Sequence, residues 1–208
     1  GISENTTYSN ISTSGTVSVT LPNSENIFWD NTGGLIGTGT NIDITNVTSD
    51  VSIVADSGYG VGVTGGVVGL LEESTIENTT SSADLTLTGQ SGVEPVGGLI
   101  GESVNNSIST VSSTPTFSLT AENEFATVSV IGGLIGLSEE DTIEDSYSEN
   151  ANIEGSEVLG GLIGETDETT VRNSYSTNTV NGEAELGGLI GVFDGNGAIQ
   201  ASYSEDTT

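Results

Sequence analysis

The pentapeptide Gly160-Gly161-Leu162-Ile163-Gly164 has five counterparts along the chain: Gly33-Gly34-Leu35-Ile36-Gly37, Gly65-Gly66-Val67-Val68-Gly69, Gly97-Gly98-Leu99-Ile100-Gly101, Gly132-Gly133-Leu134-Ile135-Gly136 and Gly187-Gly188-Leu189-Ile190-Gly191. Their first glycines are 32, 32, 35, 28 and 27 residues apart, which is the length of one solenoid coil. Leu and Ile supply a short buried strand, and the flanking glycines permit backbone approaches that a Cβ forbids. Stacked in parallel at about 4.8 Å per rung, Leu35, Leu99, Leu134, Leu162 and Leu189 form a ladder, and six coils make a rod about 29 Å long.

A second element accompanies the first in the C-terminal half, where Ser146-Tyr147-Ser148, Ser174-Tyr175-Ser176 and Ser202-Tyr203-Ser204 recur every 28 residues. Thr7-Tyr8-Ser9 reads as a lone fourth copy. Each coil then runs strand, turn, strand, turn, strand. The expected fold is all-β: one parallel β-solenoid over residues 1–208, with decorated coils in 1–131 and regular coils of 27–28 residues in 132–208. Segments that alternate like strands, Thr16 to Leu21, Val51 to Ala55, Ala83 to Thr88, Thr116 to Thr120 and Ala126 to Ile131, predict extra strands or hairpins projecting from the N-terminal coils.

The pentapeptide followed by an Asn/Ser-Tyr-Ser element resembles the GLUG motif of bacterial and archaeal surface proteins, a repeat that also occurs beside the peptidase domain of bacterial immunoglobulin A proteases. The resemblance covers nearly the whole chain and implies a scaffold rather than an activity.

Composition agrees with a thin, small-residue core. Aromatics are 5% of the 208 residues, and about a quarter of the chain is Ser or Thr. Thirty carboxylates stand against one basic side chain, Arg172, for a formal charge of -29. Such a surface excludes nucleic acid as a partner and disfavours an anionic membrane. It is the composition of a halophilic protein or of an acidic secreted one. No stretch approaches the roughly 20 apolar residues of a transmembrane span. The expected setting is extracellular or the cell surface.

Absence of His, Cys and Lys removes the usual nucleophile, Schiff-base and zinc chemistries. Paired carboxylates survive, so a polysaccharide hydrolase is the remote enzymatic reading; the acids lie at repeat-equivalent turns, whereas catalysis needs one unique cluster, and no enzyme is expected. Glu72, Glu139, Asp167 and Asp194 each lie seven positions past a first glycine, so stacking makes them an acidic ridge. That ridge is either a site for Ca²⁺ or another hard cation or a solvated, salt-screened face. Asp194-Gly195-Asn196-Gly197 is its best single calcium turn and also a good β-turn.

Strand parity places Tyr147, Tyr175 and Tyr203 inward with Ile143, Val171 and Ile199, as a core ladder. The competing arrangement is an exposed aromatic ribbon for glycan stacking or subunit contact. The same parity buries Asp145 and Asn173, a cost that a bulge would relieve. Phe28-Trp29 is either a plug on the first coil or an interface anchor. Five Asn-X-Ser/Thr sequons, at Asn5, Asn10, Asn46, Asn78 and Asn105, are no more than chance predicts.

With Tyr8 near one end and Tyr203 near the other, neither end closes a coil, and head-to-tail stacking through Tyr8, Phe28, Trp29 and Tyr203 is the expected association. A stretch of a longer surface protein is the other reading of those ends. Function is thus expected to be that of a self-assembling structural subunit, or alternatively of an adhesin or stalk binding glycans or proteins.

Overall fold

A computed structural model describes residues 1–21, 30–90, 92–122 and 127–205. These residues contain no helix and wind into a parallel β-solenoid of about six turns. The front ladder stacks Ile2–Glu4, Ile36–Thr40, Val68–Glu72, Ile100–Val104, Ile135–Glu139, Ile163–Asp167 and Ile190–Asp194. The back ladder follows, built on the strands Thr7–Leu21 and Asp43–Ser57, above which each coil adds two short strands such as Thr170–Arg172 and Tyr175–Ser176. A closing ladder, Thr32–Gly33 through Glu185–Gly187, returns the chain to the next pentapeptide.

The pentapeptide is required by two contacts. A methyl on Gly160 would overlap the Ile163 carbonyl oxygen, because the closing strand folds straight back into the front strand. One on Gly161 would overlap the Gly188 carbonyl oxygen and lie 2.5 Å from Ser176 Oγ, because front and back walls pinch together there. The pinch divides the interior in two. One core holds Val67, Leu99, Leu134 and Leu162, fully buried as one ladder, against Ile44, Ile76, Ile108 and Ile143. The other holds Val51, Ile53, Leu85, Leu87, Ile153 and Leu159.

At the waist between them the serine column Ser49, Ser81, Ser113, Ser148 and Ser176 closes on the second glycines. Ser49 Oγ donates to Gly66 O at 2.8 Å, Ser113 Oγ to Gly133 O at 2.7 Å, and Asn178 Nδ2 to Gly161 O at 2.7 Å.

Two corners of every coil are made by a residue with positive φ. One column runs Asn5, Asn41, Glu73, Asn105, Glu140 and Glu168; the other runs Asn10, Asn46, Asn78, Thr110, Asp145, Asn173 and Ala201, all with φ between 47° and 56°. Asn is the side chain that best tolerates this region, and the asparagines link along the stack: Asn41 Nδ2 donates to Asn5 Oδ1 at 2.5 Å and Asn46 Nδ2 to Asn10 Oδ1 at 3.2 Å. All five sequon asparagines stand at these corners. Their recurrence has a backbone cause.

Where a buried Ser or Thr follows a corner, its hydroxyl bonds the carbonyl two residues back, as Ser146 Oγ does with Glu144 O at 2.7 Å and Ser174 Oγ with Arg172 O at 2.8 Å. The same hydroxyls accept from the coil below, Ser174 Oγ taking the Ser146 N–H at 3.2 Å.

Where they are described, the extra segments of the N-terminal coils form strands that do not project, and Ala126 of the last segment lies outside the described residues. Val17, Ile53, Leu85 and Phe117 stack in parallel register, so the inserts widen the second core instead of forming hairpins on the surface. Among the described residues that distal wall breaks once. Thr116–Ala121 pairs with Asp84–Gly89, while Asn152–Gly155 pairs with Thr179–Gly182 in a separate sheet.

Candidate functional site

On the front wall the four carboxylates expected at one height occupy one register position. Glu72, Val104, Glu139, Asp167 and Asp194 follow one another up the stack, with Val104 interrupting the acids. Two positions earlier runs Leu70, Glu102, Leu137, Glu165 and Val192, all half-buried. The ridge is therefore a patchwork of acid and aliphatic residues. Glu72 Oε2 accepts a bond from Thr40 Oγ1 at 3.0 Å.

Crowding shows in the proton affinities. Burial, and then the charges of Asp194, Glu185, Glu139 and Asp167, hold the Glu165 carboxyl above the usual range. Burial, followed by Glu139, Glu72 and Glu94, does the same to Glu102. Among the described residues no three acidic side chains converge on a point that could hold a metal ion.

The back wall carries the aromatic ladder, and here the inward parity is corrected. Asp145 and Asn173, at φ 50° and 48°, shift the alternation by one, so Ser146 and Ser174 are buried while Tyr147 and Tyr175 stand half-exposed outside and Tyr203 is 53% exposed. Asp145 and Asn173 are themselves exposed, so no burial penalty arises. The rings stack face to face, Tyr147 on Tyr175 at 5.0 Å and Tyr175 on Tyr203 at 5.3 Å. Both faces of Tyr175 are thus occupied, which leaves ring edges and hydroxyls pointing outward. Tyr175 Oη donates to Glu149 Oε1 at 2.7 Å. Losing that bond on ionisation, with burial second, raises the phenol well above its ordinary range.

Beside this ladder lies Arg172, whose Nη1 meets Glu144 Oε1 at 2.9 Å and whose Nε donates to Gln200 Oε1 at 3.3 Å. Arg172 thus ties three successive coils together.

Tyr8 is not a copy of Tyr147. It pairs in register with Ile44, hence with the inward column Ile76, Ile108, Ile143, Val171 and Ile199, and its hydroxyl donates to Ser3 Oγ at 2.9 Å. The Tyr147 position is taken in earlier coils by Ser12, Thr48, Thr80 and Ser112. Phe28 and Trp29 lie outside the described residues.

One feature escaped sequence reasoning. Asp141 is 2% exposed at an inward corner, its Oδ1 accepting the Asn106 N–H at 2.7 Å and its Oδ2 the Ser138 hydroxyl at 2.6 Å. Burial raises its pKa to about 6 despite those bonds. The signal was its place directly after Glu140, where other coils carry Ser74, Asn106 or Thr169.

The geometry of one coil, from closing strand through front wall, corner and Tyr-Ser strand, is contained in residues 155–181, and that segment matches the GLUG motif. Residues 155–181 carry the GLUG motif. No curated protein and no solved structure shows a significant match. Within that segment the glycine pair Gly160-Gly161 forms the waist, and the strand Tyr175–Ser176 presents one rung of the aromatic ladder. The other pentapeptides stand at the same register positions, so the repeat extends structurally well beyond the matched segment.

Proposed function

We propose that this GLUG-repeat protein is a non-enzymatic structural element outside the cell, and that copies associate end to end through their terminal rungs. The observation that carries the reading is that one described rung after another pairs in parallel through the same front and back ladders, so that each rung is a template for the next. At the first described rung Ile2 is 81% exposed, and Tyr8 offers the inward column; at the last, Ile199 of that same column is 45% exposed, and Leu186 is 44% exposed. Among the described residues, Ile2–Glu4 and Thr7–Leu21 pair on one side, as do Ile190–Asp194 and Tyr203–Ser204. Every described rung between them pairs in parallel with the next through the front and back ladders, so such a rung is a template for another. Tyr203, stacked on Tyr175, is 53% exposed and offers an aromatic surface to such a contact.

High salt favours the association, because each copy carries a net charge of -29. Sedimentation velocity at micromolar concentration, with negative-stain microscopy in about 0.1 M and about 1 M salt, tests it. Rods that lengthen with salt are expected. A sharp monomer boundary at both salt concentrations overturns the reading.

A further inference from the structure

We propose that Asn196 is a site of self-modification, at which the backbone nitrogen of Gly197 displaces the side-chain amide and converts the residue to aspartate or isoaspartate. The position follows from the corner that ends the front wall. Two residues make that corner between Glu139 and Thr142, and again between Asp167 and Thr170. Asp194 and Ala198 stack on Asp167 and Thr170, yet three residues lie between them. Gly195, at φ 74°, takes the left-handed place that Glu168 holds at φ 52°. A methyl on Gly197 would overlap the Thr169 carbonyl oxygen, so the stack requires a glycine there. Asn196 is the added residue, exposed between two glycines.

A glycine after asparagine leaves no Cβ in the path by which its nitrogen reaches the asparagine Cγ. Among the described residues the Gly197 N–H meets no acceptor, so its approach breaks no hydrogen bond. The chain holds one other Asn-Gly pair, Asn181-Gly182, and its setting is the opposite. Asn181 stands inside the strand Thr179–Gly182, in register with Glu154, and its Nδ2 donates to Asn152 Oδ1 at 3.4 Å. Ring closure needs a ψ at the asparagine far from the strand value of about +115°, so Asn181 has to leave its ladder before it can react.

The step balances with water as its only co-reactant. Gly197 N bonds to Asn196 Cγ, the Cγ–Nδ2 bond breaks, and the Gly197 amide proton leaves with that nitrogen as ammonia. Water then opens the cyclic succinimide, at Cγ to give aspartate or at the main-chain carbonyl to give isoaspartate. Either product adds a carboxylate to the corner that follows Asp194, on a chain whose formal charge is already -29. Isoaspartate also lengthens the backbone of that corner by one methylene.

The experiment holds the folded protein, and a second sample unfolded in urea, at mildly alkaline pH and follows both by peptide mapping. A glutamate-specific protease cuts between the two Asn-Gly pairs at Glu183 and Glu185, and mass spectrometry with an isoaspartate methyltransferase assay reads each peptide. In the folded protein Asn196 is expected to convert about tenfold or more faster than Asn181, the factor that breaking the ladder around Asn181 imposes. In urea the two rates should converge. Anion-exchange retention of the folded wild type should increase with time, and Asn196→Ser should remove that increase. Equal rates at the two asparagines in the folded protein, faster conversion at Asn181, or an Asn196 that stays intact in the folded protein while the unfolded sample converts at both sites each overturns the proposal.

Discussion

Asn106 and Asp141 hold the same inward corner on consecutive coils, and the Asn106 N–H donates to Asp141 Oδ1 at 2.7 Å. Asn106 shows what a neutral amide does there: its Nδ2 donates to Ser103 Oγ at 2.8 Å and Leu71 O at 2.9 Å. Asp141 has only acceptors when ionised, and burial lifts its pKa to about 6 from 3.8. The folded state therefore binds the proton more tightly than the unfolded chain, so this group's contribution is favourable at low pH and is lost as pH rises from about 4 to about 6. At about 1.4 kcal/mol per pH unit the span is roughly 3 kcal/mol. Asp141→Asn should raise the melting temperature above pH 6 and remove this part of the pH dependence. Identical melting of both proteins at pH 7.5 would contradict it.

Ser81 Oγ is buried without a hydrogen-bond partner, whereas Ser113 in the same column bonds Gly133 O and Ser148 Oγ. Removing an unsatisfied hydroxyl relieves a desolvation penalty, so Ser81→Ala should be neutral or stabilising by up to about 1 kcal/mol. Ser113→Ala should destabilise by about 1 kcal/mol or more. Urea midpoints of the pair check the sign; equal destabilisation by both is the contrary result.

Tyr175 is the middle ring of the stack, with Tyr147 and Tyr203 on its two faces. Tyr175→Ala should cost about 1–3 kcal/mol, since an aromatic pair contributes about 0.5–1.5 kcal/mol beyond area burial. Tyr175→Phe keeps the rings and loses only the Glu149 bond, so it should fall well short of that loss. In ultraviolet titration of the wild type, one tyrosine should ionise well above the usual range, and Tyr175→Phe should remove that late step.

Gly161→Ala drives a methyl into the Gly188 carbonyl at the waist. Backbone cannot yield there without breaking the ladder, so the variant should lose several kcal/mol or fail to fold. Gly15→Ala, at an open position with φ 115°, carries only local backbone strain and should cost much less. Circular dichroism melts of the two variants compare them directly.

Front-wall repulsion should make stability depend on salt. Raising ionic strength from about 0.1 M to about 1 M shortens the screening length from about 10 Å to about 3 Å. The melting temperature should rise across that range, and Glu165→Gln, which removes a charge crowded by Asp194, Glu185, Glu139 and Asp167, should melt higher at low salt and gain less from added salt. A flat salt response in the wild type would refute this.

Periodicity alone was enough to read a parallel stack, its coil boundaries and its Leu ladder, because stacking requires like residues at like positions and so writes the fold into the spacing of Gly-Gly-Leu-Ile-Gly. The same spacing put Glu72, Glu139, Asp167 and Asp194 in one column. Everything that turned on one backbone angle was hidden. Left-handed residues such as Asp145 reverse strand parity, and that reversal sent Tyr147 and Tyr175 outward and Ser146 inward. Tyr8 misled for a related reason: its neighbours matched one motif while its register belonged to another column. The pinched waist and the buried carboxyl of Asp141 exist only where two coils meet. A sequence orders residues along one coil, whereas burial and hydrogen-bond partners here come from the coil above and the coil below.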